Sequence, residues 1–276
     1  MSARMRAATL AAGLLWLGSP ATADETWAPR VSATYKVVAA GFDLGKFTFT
    51  STLTGHDYVL TGNGELSWGM GLLSWTSVTR SSGSVDGDHV APAGYTLDYK
   101  TQARSGSVKL SFQHDAVTSV SVVPPSPPAA GTVPLKEHHL KSVFDPMSAI
   151  IALARGHAAN PCGRRIAIFD GRQRFDLALS FRRQEKVVEA RPSGQPVIAY
   201  VCRVQYTPVA GYPPSRNTQA MAATAGIEVA LRPIPTANLL VPHRITIPTM
   251  IGSVELLATR VDFTAPGNRQ IALTQH

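Results

Sequence analysis

Apolar residues recur at every second position in run after run of this chain, and that period admits little besides β-sheet. In the octapeptide 46–53, Phe47, Phe49 and Leu53 share one face, and Lys46, Thr48, Thr50 and Thr52 share the other. Tyr95, Leu97 and Tyr99 alternate with Thr96, Asp98 and Lys100. Phe175, Leu177, Leu179 and Phe181 form a further apolar line, as do Ile198, Tyr200, Cys202, Val204 and Tyr206. Near the end the phase changes between Ala258 and Thr259, which predicts a bulge. One apolar and one polar face per strand is the pattern of antiparallel sheet wrapped around a core. Turn residues separate the runs: Asp86-Gly87 and Asp170-Gly171 supply positive φ, while Gly55-His56, Asn63-Gly64 and Gly211 with Pro213-Pro214 mark further breaks. Roughly a dozen strands at this spacing make a barrel, a spiral or a sandwich. The expected fold is all-β: a large antiparallel open barrel or β-spiral.

One stretch departs from that period. Residues 144–163, FDPMSAIIALARGHAANPCG, predict a short buried α-helix at about 145–155. Asp145 suits the N-cap, Pro146 the first helical position and Gly156 the C′ position. Met147, Ile150, Ile151, Leu153 and Ala154 cover most of the circumference, so the helix requires burial on more than one side. Such a helix packs across a sheet or plugs a barrel; its functional alternative is a lid over a cavity. Before it, the proline-rich stretch 124–134 is stiff and polyproline-like.

The first 23 residues carry Arg4 and Arg6, an apolar run from Ala7 to Gly18, and Ala21-Thr22-Ala23 ahead of Asp24. That order predicts a cleaved secretory signal, a periplasmic address and one mature domain, 24–276. Spanning a bilayer takes about 20 apolar residues, more than any run here supplies, so the chain is not expected to be membrane-spanning. The formal charge is +8, and export directs a basic balance towards anionic envelope lipids rather than nucleic acid. Its densest cluster runs from Arg164 to Arg191, interleaved with acids, and reads first as a solvated face. Two cysteines in an oxidising compartment imply one disulfide, Cys162–Cys202.

Motifs that carry chemistry are scarce. No G-x-S-x-G, S-x-x-K, H-E-x-x-H or Walker sequence occurs, so no enzyme activity, cofactor or catalytic residue is expected. His138 and His139 are adjacent and would point to opposite faces of a strand, a poor arrangement for a metal. Gly62-Asn63-Gly64 lacks the βαβ setting of a dinucleotide fingerprint and is expected to be a turn. The segment Trp68 to Trp75, WGMGLLSW, is either a buried strand or a surface for a cavity or membrane contact.

Taken in order, YKVVAAGFDLGKF, SGSVDGDHVAPAGY, FDPMSAIIALARG, IAIFDGRQRFDL and CRVQYTPVAGY resemble the proteobacterial proteins of domain-of-unknown-function family 3108. The likeness spans about residues 30–265, and is similar more distantly to periplasmic envelope-integrity proteins that form a β-spiral with one disulfide. It implies an all-β periplasmic fold and a role in maintaining the envelope, with no catalytic residues to transfer. The function expected is therefore non-enzymatic support of the cell envelope, with a lipid or lipopeptide held in an apolar groove. Phe47, Phe49, Trp68, Trp75, Met147 and Ile150 are the candidate lining. A scaffold for a periplasmic protein partner is the first alternative, and a hydrolase of envelope polymers the second.

Overall fold

Alternation of buried and exposed residues along β3 (Asp57–Trp68) shows how the chain obtains its interior: Tyr58, Leu60, Gly62 and Gly64 face in, while Asp57, Val59, Asn63 and Glu65 face out. The computed structural model describes residues 28–275 apart from 70, 72, 126, 156–159, 225, 250–251 and 266–268. The expected signal segment 1–23 and the C′ glycine Gly156 lie outside the described residues.

The first half is a meander of seven strands: β1 (Arg30–Ala39), β2 (Phe42–Thr54), β3, β4 (Leu73–Asp86), β5 (His89–Thr101), β6 (Ser105–Gln113) and β7 (Ala116–Val123). The second half contains α1 (Pro146–Ala154), β8 (Arg164–Phe169), β9 (Arg174–Lys186) and β10 (Ile198–Ala210). After α2 (Arg216–Ala223) come β11 (Glu228–Ile234), β12 (Leu239–Thr249), β13 (Gly252–Ala265) and β14 (Arg269–Thr274). Among the described residues these form one antiparallel sheet ordered β7-β6-β5-β4-β3-β2-β1-β13-β12-β11-β10-β9-β8. The two halves join where β1 pairs with β13, Val31 opposite Phe263. β14 continues β13 beyond the stretch occupied by β12.

The ladder does not close, so the fold is an open barrel or spiral, as the alternation predicts. Its two outer strands are tied by the segment entering the helix. Lys141 bridges to Ala116 of β7, and Phe144 pairs in parallel with Ile168 of β8. The α1 helix lies inside the curl, against β3, β4, β5, β8 and β12. Met147 and Ile151 join the core under β3–β6, Ala154 meets the core of β1 and β13, and Leu153 meets that around the disulfide. Its circumferential apolarity is thus used on three sides.

Several local expectations change. Besides α1 there is a second helix, α2, against β10, where Gln205 donates to the Ala222 carbonyl at 2.9 Å and Met221 packs on the core around the disulfide. Its sequence, RNTQAMAA, lacks an apolar stripe, and its one clear signal is the Ser215 N-cap accepting from the Thr218 amide. Gly62-Asn63-Gly64 is mid-strand in β3, not a turn. Cβ atoms at Gly62 and Gly64 would meet Phe47, Met147 and Trp75 side chains, so the glycines make room for large neighbours. Ile198 is exposed, because a register shift between β9 and β10 beside Cys202 puts Ala199 and Val201 on the buried face; Phe181, opposite Cys202, is exposed as well. The proposed bulge occurs: Thr34 faces Arg260 and Tyr35 faces Ala258, leaving Thr259 extra. His138 and His139 occupy a 3-10 turn, 137–140, not a strand. In the proline-rich stretch, Val133 exchanges backbone hydrogen bonds with Gly211 and Tyr212.

Candidate ligand cavity

Asp145 fixes the helix before any apolar contact is counted. One carboxylate oxygen accepts from the Met147 and Ser148 amides at 2.9 and 3.0 Å, capping the first turn. The other accepts from Ser81 Oγ at 3.1 Å and from Ser148 Oγ. Tyr58 joins through Ser148 Oγ at 2.7 Å, so β3, β4 and the helix N-terminus form one polar knot within the core. Burial raises the Asp145 carboxyl above its ordinary value, against four hydrogen bonds that favour the charged form. Tyr58 is likewise pushed up, by burial first. Every member of the knot is buried and engaged with another, which suits anchorage of the helix.

The far end of α1 is held differently. Arg164 donates to the carbonyls of Ala152 and Arg155, satisfying acceptors that the last turn leaves open. Two residues before it, Cys162 is bonded to Cys202 of β10, across 40 residues of chain. The expected disulfide is present, and no cysteine is free.

Between the held helix and the sheet lies a cavity of about 140 Å³. Its walls are Val31, Ala33 and Tyr35 of β1, Phe47, Phe49 and Ser51 of β2, and Ile150, Ile151, Leu153 and Ala154 of α1. Residues 239–242 and Ile245 of β12, with Leu256 of β13, complete it. Two side-chain hydroxyls belong to this lining, and that of Tyr35 is already committed, donating to the Pro242 carbonyl at 3.0 Å. A buried water needs two to four polar partners, so the space is dry.

Of the six residues expected to line a groove, Phe47, Phe49 and Ile150 do. Met147 sits beside it, over Gly62, with its sulfur accepting from Thr79 Oγ1 at 3.4 Å. Trp75 packs over Gly64, half-buried, and Trp68 is 55 % exposed at a hairpin rim; neither reaches the cavity. The β1 and β12 walls are absent from the expected lining. β1 carried a usable signal, since Val31, Ala33, Tyr35 and Val37 alternate as cleanly as β2.

Much of the basic cluster is neutralised locally. Arg182 and Arg183 bind Glu228, Arg244 binds Glu185 at 2.5 Å, and Arg174 binds Asp176 at 2.5 Å. Among the described residues no three His, Cys, Asp or Glu side chains are grouped to hold a metal ion, and no helix is long and apolar enough to cross a membrane.

Fold and cavity together define a class: an antiparallel, incompletely closed β-barrel with an apolar pocket beneath an anchored internal helix. The chain belongs to the family described as protein of unknown function, DUF3108, which matches residues 32–259. No curated protein and no solved structure matches it.

Proposed function

We propose that this is a non-enzymatic periplasmic protein that receives the apolar end of an envelope lipid or lipopeptide in the cavity under α1, and so supports envelope integrity. The observation that carries this is the cavity itself: apolar, dry, and walled by rigid strands on one side and a fastened helix on the other. A space of about 150 Å³ is enough to hold a benzene molecule. A volume of about 140 Å³ therefore suits the terminal segment of an acyl chain, with the remainder of the lipid outside. The disulfide is compatible with an oxidising compartment, and the first 23 residues carry the layout of an export signal.

Native mass spectrometry on protein purified gently after export tests this, followed by extraction of whatever is bound. A discrete excess mass that resolves into a lipid or lipopeptide is expected. Apo protein that also fails to bind a fluorescent fatty acid would refute the assignment.

A second function, as a protein scaffold, rests on β7. It is the last strand of the order, its outer edge is bridged at Ala116, and Val120 and Val123 are exposed along an uncharged run. Such an edge accepts an added strand. Hydrogen exchange in periplasmic extract would show selective protection of residues 116–123 if a partner adds there.

A further inference from the structure

The turns of the first seven strands sort by chemistry onto two opposite ends of the meander. At one end the β2–β3, β4–β5 and β6–β7 turns read Gly55-His56-Asp57, Asp86-Gly87-Asp88-His89 and Gln113-His114-Asp115. They are polar and rich in acid. At the other end, the β1–β2 and β3–β4 tips present Phe42, Trp68 and Leu73, exposed by 66 %, 55 % and 62 %. The tips are neighbours: Gly45 pairs with Leu66, and Gln102 in the β5–β6 turn donates to the Gly71 carbonyl at 2.6 Å.

Their origin is visible in the β3–β4 ladder. Its inward-facing rungs run Gly64–Ser77, Leu66–Trp75 and Trp68–Leu73, and pass from buried through half-buried to exposed. The apolar lining of the barrel thus continues past the rim into solvent. Phe42, opposite Ala39, ends the adjacent β1–β2 ladder in the same way.

Charged residues surround the apolar tips. Asp43 and Glu65, near the apolar tips, are paired with Lys36 at 3.1 Å and Lys46 at 3.2 Å. Lys100, level with Glu65 across Thr76, and Arg104 in the β5–β6 turn have no ion-pair partner among the described residues, and both are exposed. Asp57, Asp86, Asp88 and Asp115 are at the far end, in company with Arg30 and with Arg155, which donates to the Gly87 carbonyl. Lys100 and Arg104, beside the apolar tips, attract a negative surface.

We propose that this end of the barrel docks on an anionic lipid bilayer, inserting Phe42, Trp68 and Leu73 at the level of the head groups. The side chains stand on two adjacent hairpin tips, Phe42 on one and the Trp68–Leu73 pair on the other, rather than on one flat area. A stable protein interface requires about 800 Å² of fitted surface from each partner, which three side chains on two hairpin tips do not present. A fluid interface takes up separate side chains without shape complementarity, and tryptophan is the residue most at home there.

Flotation with phosphatidylglycerol–phosphatidylethanolamine vesicles, against phosphatidylcholine vesicles, tests this on protein purified after export, its N-terminus fixed by intact mass. Wild type is expected to float with the anionic vesicles, with a blue shift of tryptophan emission. The triple change Phe42→Ser, Trp68→Ser and Leu73→Ser is expected to weaken partitioning by about tenfold or more. The change Val59→Ser with Val78→Ser, at exposed positions on the barrel wall, is expected to leave it unaltered. Circular dichroism confirms that both variants fold. The proposal fails if wild type does not float, if the tip variant floats as well as wild type, or if the wall variant loses as much. A vesicle-free dimer abolished by the tip changes would also overturn it, assigning the patch to a second copy.

Discussion

Replacing Ala33 by isoleucine adds three carbons to the wall of the cavity at a strand position that a β-branched side chain suits. Three buried carbons return about 2.4 kcal/mol at ~0.8 kcal/mol each, less about 0.5–1 kcal/mol of side-chain entropy. The Ala33→Ile protein is therefore expected to be more stable by about 1.5 kcal/mol. In a chain of this size that raises Tm by about 3–6 °C. The same carbons occupy the ligand's place, so affinity for cis-parinaric acid is expected to fall by about tenfold or more. Calorimetry and a fluorescence titration of the same preparation read both effects. Destabilisation by more than about 1 kcal/mol with unchanged probe affinity would refute the reasoning, because the site would then be filled in solution and the ligand elsewhere.

Asp145→Ala strips the acceptor from two amides and two buried hydroxyls, and is expected to cost roughly 3 kcal/mol in a denaturant melt. Asp145→Asn retains the cap and is expected to be milder. The folded Asp145 carboxyl titrates above its ordinary value of 3.8. Its contribution to stability is therefore full below that value and is lost as pH rises through the raised one. That slope is expected to vanish in the asparagine variant, as melts across acidic pH would show. Cys202→Ser opens a 40-residue loop and is expected to cost about 4 kcal/mol under oxidising conditions; reductant should lower wild type towards the variant and leave the variant unchanged. Gly62→Val places a Cβ 2.9 Å from the Phe47 ring and 3.1 Å from the Met147 methyl. It is expected to cost about 1–3 kcal/mol and to weaken the fatty-acid probe by displacing a cavity wall.

Alternation made the sheet legible because each strand has one buried face, and Asp145-Pro146 made the helix legible because caps are local chemistry. Half of the expected lining reached the cavity for the same reason: Phe47 and Phe49 alternate, and Ile150 follows helical spacing. What sequence did not reveal is set by register between distant strands. Nothing local says that Ala33 and Val241 share a wall, since β1 meets β12 only through β13. Gly62 and Gly64 lie within a strand and not in the expected turn, because glycine marks turns and close approaches alike and only the neighbouring Phe47 and Trp75 rings decide between them. Trp68 and Trp75 differ by position rather than by type, one at the rim and one a rung deeper.

β1 lies in the middle of the sheet, yet one of its two neighbours is β13, with Val31 opposite Phe263. A polypeptide is made from its N-terminus at about 5–20 residues per second. Some 10 to 50 seconds therefore separate the appearance of β1 from that of the strand that covers its second edge. Throughout that interval Val31, Ala33, Tyr35 and Val37 have only the β2 hairpin beside them. Any delay to the last strands, by truncation or by a stalled ribosome, leaves a central strand as an open edge. That edge is where an incomplete chain is open to pairing with another strand.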